Sequence, residues 1–263
     1  MMESTNAAAS AADSSAEIAP PTTPPGEAGA HRSRIAPEKY FRWRAGEISR
    51  LEAFCDVVFG FAITLLVVSL EVPHTYADLM ADMRGFLPFA VCFAQLAMIW
   101  RTHYRFSRRY GLEDPYTVFL NVVLLFLVLF YVYPLKFVFT LLFAEITGTD
   151  ASANMGWHEA SVLMRIYAAG FAAVFWLFVL MYAHAYRLQR ELELDPVEVL
   201  ETRFSLQENA LLGLIGIASF LVAIKSPGWA GWVYLAIGPL LAIHGSIFGK
   251  RVRLLAETQR SLE

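Results

Sequence analysis

The side chain with the most chemistry to offer is Asp56, set about two turns inside an otherwise apolar, membrane-length run over residues 50–72. A charge at the bilayer centre costs about 2.5–3.5 kcal/mol on insertion scales, and less toward the interface. A carboxylate there is held by partners inside a bundle and marks a functional site. Three polar side chains qualify as partners: Arg50 six residues earlier, His103 at the end of the second apolar run, and Asn121 about two turns into the third. They suit a cluster that anchors the first helix and fixes its tilt, because buried polar groups need hydrogen-bond partners. Direct ion coordination by Asp56 is the alternative. At 100° per residue Asp56 shares a face with Glu52, Phe59, Gly60 and Ile63, whereas Phe61, Thr64 and Val68 form a separate stripe edged by Val57 and Leu65. Such a stripe is either core packing or a greasy lining that controls the passage of water and ions. Thr64 is its one polar member. Its hydroxyl can replace part of an ion's hydration shell or bond its own helix.

The remaining reactive side chains offer less. Cys55 and Cys92 lie in apolar segments and match neither a disulfide framework nor a metal motif. His103, His184 and His244 fall near the ends of three runs, without a pair at metal-ligand spacing. No catalytic residue, cofactor or bound metal is expected, although histidine titrates close to neutral pH.

The elements that position these groups are read from composition. The 263 residues are 57% hydrophobic and 17% charged, which places the chain among polytopic membrane proteins. Six apolar runs of helix length occur at roughly 47–70, 85–107, 115–145, 157–189, 203–225 and 229–252. The fold expected is all-α, with six transmembrane helices. Gly213-x-x-Gly216 and Gly245-x-x-x-Gly249 permit close helix contact. Arg101, Arg105, Arg108 and Arg109 follow the second run, Arg187, Arg190 and Arg203 lie between the fourth and fifth, and Lys250, Arg251 and Arg253 follow the sixth. The positive-inside rule then puts both termini in the cytoplasm, in an inner cell membrane crossed several times. Residues 1–44 read as a disordered Ala/Ser/Pro-rich tail ending in a basic collar that includes Arg42 and Arg44. The transmembrane domain spans 45–255, and 256–263 form a short cytoplasmic tail.

Arg50-x-x-x-Phe54-Cys55-Asp56, running into Phe59-Gly60-Phe61-Ala62-Ile63-Thr64, resembles the R-x-x-x-F-S-D signature of the transmembrane protein 175 family. Trp100-x-x-His103, Asn121 and Pro134 extend the likeness, which is densest over residues 50–135. The resemblance implies potassium-permeable channels: prokaryotic members with six helices per subunit form homotetramers whose first helices line the pore. It implies an apolar constriction instead of a carbonyl filter, and no T-V-G-Y-G loop occurs here. Carried over, Phe61, Thr64, Leu65 and Val68 are the pore residues, and Arg50, Phe54, Cys55, Asp56, Trp100, His103 and Asn121 the supporting network. Cys55 stands where the family usually has serine, and Phe61 where isoleucine or leucine usually makes the constriction, which leaves Phe61 and Val68 as rival gates. The expected partners are potassium ions, lipid and three further copies of the chain, with no nucleic acid. A secondary transporter, or a membrane enzyme or metal-binding protein using the histidines, is the alternative.

Overall fold

Side chains start the helices. Ser49 opens the first one, its Oγ accepting from the Glu52 N–H at 3.1 Å and its carbonyl from the Ala53 N–H at 2.9 Å. Asp114 does the same ahead of Pro115, accepting from the N–H groups of Tyr116 and Thr117 at 3.2 Å each. Asp195 caps the helix that begins with Pro196, accepting from Val197 and Glu198 at 2.8 Å, and Glu198 answers by accepting from the Asp195 N–H. In this computed structural model the residues described are 41–68, 74–76, 80, 83, 86–147 and 156–260, with the backbone alone at 68, 144–147, 252–253 and 255–260.

The helices are α1 (Arg50–Val68), α2 (Phe86–Tyr110), α3 (Pro115–Thr147), α4 (Trp157–Arg187), α5 (Pro196–Lys225), the short α6 (Pro227–Trp232) and, after a 3-10 turn at Val233–Ala236, α7 (Ile237–Arg260). No strand occurs among the described residues. Among the described residues four segments are long and apolar enough to cross a membrane: Pro115–Phe143, Trp157–Arg187, Pro196–Lys225 and Pro227–Arg251. The first two helices carry more charge. Arg50, Glu52 and Asp56 fall in the first turns of α1, and four arginines in the last turns of α2.

α1 packs on α2 and α3, α3 also lies on α4, and α4 and α5 form the most extensive pair. Small residues permit that closeness. A Cβ on Gly216 would sit 2.9 Å from the Ala172 backbone nitrogen, and one on Gly213 2.9 Å from Trp176 Nε1. Gly245 and Gly249 meet nothing within 4 Å, so of the two glycine pairs only the first makes a close contact among the described residues. Two hydroxyls add ties, Ser161 to the Ala223 carbonyl and Ser219 to the Ala230 carbonyl.

Some boundaries differ from the sequence reading, among them the last run, read as one helix over 229–252, which is α6, a 3-10 turn and α7 continuing to Arg260. α5 starts at Pro196 instead of 203, because its first two turns are amphipathic and bury Glu198 and Thr202 while leaving the hydropathy low. Within the collar, Phe41 is buried edge-on against Tyr110, with ring centroids 5.5 Å apart. Residues 1–40, where the rest of the tail lies, are outside the described residues.

Candidate functional site

α1 has two unlike faces. Glu52, Cys55, Phe59, Ala62 and Leu66 are buried against the rest of the chain. Phe54, Val57, Phe61, Thr64 and Val67 are exposed at helical spacing, with Val57 at 71% and Phe61 at 57%. A Cβ on Gly60, between this row and the side of Asp56, would meet nothing within 4 Å among the described residues. The free face is therefore apolar over about four turns apart from Thr64, whose hydroxyl donates to the Phe61 carbonyl at 2.7 Å. With its proton committed to the helix, the Thr64 oxygen keeps acceptor capacity for the open side. Leu65 is half-buried and lines an apolar cleft of about 680 Å³ with Phe130, Tyr133 and Phe137 of α3. The Val68 side chain lies outside the described residues.

The buried face carries the polar ties. Asn121 is the hub: its Oδ1 accepts from His103 Nε2 at 2.6 Å and from Cys55 Sγ at 3.7 Å, and its Nδ2 donates to the Thr117 carbonyl at 2.8 Å. One amide thereby joins α1, α2 and α3. Because its nitrogen is engaged with a carbonyl, the oxygen faces the imidazole, so His103 donates through Nε2. The His103 ring also lies against Phe59, centroids 5.6 Å apart. Asp56, one residue and 100° further round the helix, points to α2 instead and accepts from Trp100 Nε1 at 2.8 Å. Trp100 stacks on Tyr104. Of the residues expected in the network, Cys55, His103 and Asn121 form one set and Asp56 and Trp100 a second. Arg50 and Phe54 are not; both are exposed, in the same helical row as Val57 and Phe61.

The three histidines near the ends of apolar runs do not converge. His103 meets Asn121, His184 donates to Asp114 Oδ2 at 3.0 Å, and His244 pairs with Gln207 while stacking on Phe204. Burial pushes the Asp114 carboxyl up, but hydrogen bonds from Thr117 and His184 outweigh it and hold the group below the usual carboxylate range.

A family model described as the endosomal/lysosomal potassium channel TMEM175 matches residues 50–131, the stretch that holds the free stripe and the Asn121 hub. A potassium channel from Marivirga tractuosa is 37% identical over 234 residues, covering 82% of this chain and 94% of that protein. The chain belongs to the TMEM175 family. A potassium channel from Chamaesiphon minutus is 31% identical over 147 residues, 53% of this chain and 66% of its own length. Among solved structures, a variant of the potassium channel MtTMEM175 in complex with a nanobody–MBP fusion superposes with a TM-score of 0.72 at 35% identity, covering 82% of this chain and all of that one. The family and these relatives are potassium channels, not enzymes.

Other contacts of this TMEM175-family chain carry no signal in the sequence pattern. Glu52 is buried 3.8 Å from Arg108, and the two are more than fifty positions apart. Gln95 donates to the Tyr131 hydroxyl at 3.2 Å and accepts from Tyr167 at 3.3 Å, tying α2, α3 and α4 together within the apolar layer. Arg109 bonds Glu201 at 3.0 Å and Ser205 at 3.2 Å. Each element of these sets reads alone as an ordinary helix residue. Only the fold makes them partners.

Proposed function

We propose that this chain is the subunit of a homotetrameric, potassium-permeable channel of six spanning helices, with both termini in the cytoplasm, in the inner cell membrane. The free faces of four α1 helices meet around a central axis and line the pore. One observation carries the reading: α1 leaves a continuous row from Phe54 through Val67 unpacked against its own subunit, while its opposite face is buried and anchored by Asn121 and Trp100. Lipid would accept the phenyl and valine side chains equally well. The family membership and the Thr64 oxygen, an acceptor held in the same row, favour an ion path.

Conduction then depends on radius and wetting. A ring of four Phe61 side chains forms an apolar constriction that water leaves when it narrows, and an ion without water cannot cross. Thr64, three residues further along, offers a ring of oxygens to a cation that has passed or is about to pass. Asp56 stays off the axis and holds the helix through Trp100.

Purified protein in liposomes is expected to carry potassium faster than empty vesicles do, and to have a solution mass of four subunits once detergent is subtracted. A monomer, or vesicles no leakier than the blank under every ionic condition, would contradict the proposal.

A further inference from the structure

The segment that leads into α1 is gripped by a part of the subunit that α1 never touches. Among the described elements α1 packs only on α2 and α3. Eight residues before Arg50, where α1 begins, the picture changes: the Arg42 N–H donates to Glu198 Oε1 at 2.8 Å, and the Arg44 guanidinium closes on the same carboxylate, Nη2 to Oε2 at 2.5 Å and Nη1 to Oε1 at 3.2 Å. Arg44 also donates to the Leu192 carbonyl at 2.7 Å and the Glu193 carbonyl at 3.1 Å. These carbonyls belong to the α4–α5 linker, where Glu193 takes a φ of +48°. Glu198 is 1% exposed and is fixed in the first turn of α5 by its bond from the Asp195 N–H.

The grip is continued toward the pore helix. Phe41 is buried beneath the Arg109 guanidinium, 4.6 Å from its ring centre, and the Ala45 N–H donates to the Arg108 carbonyl. Gly111, at φ +58°, leaves room for this passage, since a Cβ there would come within 3.3 Å of the Ala45 nitrogen. Only Gly46, Glu47 and Ile48 separate Ala45 from Ser49, whose hydroxyl caps α1.

We propose that Arg44 and Glu198 are positioning residues for conduction: through this cytoplasmic clasp the α4–α5 pair sets where the entry of α1 sits, and with it the fraction of time the pore is open. The inference rests on the reading of α1 as the pore helix. Neither residue lies on the free face, so neither sets what passes. A buried carboxylate does not stay in place once its cation is gone. Removing Arg44 therefore releases the linker and the entry segment together.

Full-length protein in planar bilayers separates the possibilities. R44Q and E198Q are each expected to change open probability by about five-fold or more, in the same direction, with unit conductance and the potassium-to-sodium permeability ratio unchanged. The double variant R44Q/E198Q is expected to depart no further than the worse single, because both act on one contact. Where R44Q fails to assemble, R44K decides: it keeps the charge on Glu198 but loses the forked reach to both carbonyls, and an intermediate open probability is expected. Assembled variants with the wild-type open probability, variants with altered unit conductance, or additive singles would overturn the clasp. A wild-type protein that passes no potassium current overturns the channel reading itself and this inference with it, a result distinct from a conducting wild type with indifferent variants.

Discussion

Phe61→Ala is expected to raise potassium flux through reconstituted protein by at least about ten-fold. That factor needs a barrier lower by only about 1.4 kcal/mol, and a dehydrated cation within an apolar ring is penalised by more than that. Phe61 is half-exposed on the face that α1 leaves open, so the variant should assemble as the wild type does. Flux in liposomes, normalised to tetramer, checks it. Unchanged flux from an assembled variant would remove Phe61 as the constriction and pass the role to Val68, on the same helix one turn beyond Thr64.

The second large effect is on stability. Asn121→Leu removes the acceptor shared by His103 and Cys55. His103 is 1% exposed, and its Nδ1 has no hydrogen-bond partner among the described residues, so the imidazole is left buried with neither nitrogen matched by them. Stranding a buried polar group costs about 1–3 kcal/mol, which corresponds to a fall in thermal midpoint on the order of 5 °C for a chain this long. The double variant H103L/N121L removes donor and acceptor together and is expected to recover most of that loss. A thermal melt in detergent distinguishes the cases: a single variant as stable as wild type, or a double variant worse than the single, would show that the hub does not hold the three helices.

The sequence made some of this legible and hid the rest for identifiable reasons. The two faces of α1 follow from 100° per residue, so the separation of Asp56 from the Phe61 row could be read from spacing alone. That Asp56 needs a partner was also legible, because a carboxylate in an apolar run cannot be left bare. Which partner it takes was less so. Cys55 and Asp56 are neighbours in sequence but face different helices, and that one-residue rotation directs Cys55 to Asn121 and Asp56 to Trp100. Arg50 fitted the cluster by distance along the chain and missed it by angle, since it shares the row of Phe54 and Val57. The clasp was invisible for another reason. Arg44 and Glu198 are 154 positions apart, and each reads locally as something ordinary, a juxtamembrane cation and a helix-capping acid. Pairing across that separation is decided by how the helices pack, which no local pattern records.

The central claim is that the Phe54–Val67 row of α1 faces an ion path. Thiol labelling tests it most directly, because Cys55 and Cys92 are both fully buried and the native protein is already a quiet background. Potassium current through Phe61→Cys and Thr64→Cys is predicted to fall on exposure to a hydrophilic, charged thiol reagent, while current through Ala62→Cys, one residue away on the buried face, stays as it was. Full modification of the cysteines at 61 and 64, shown by mass, with no change in current would place that row against lipid and contradict the account.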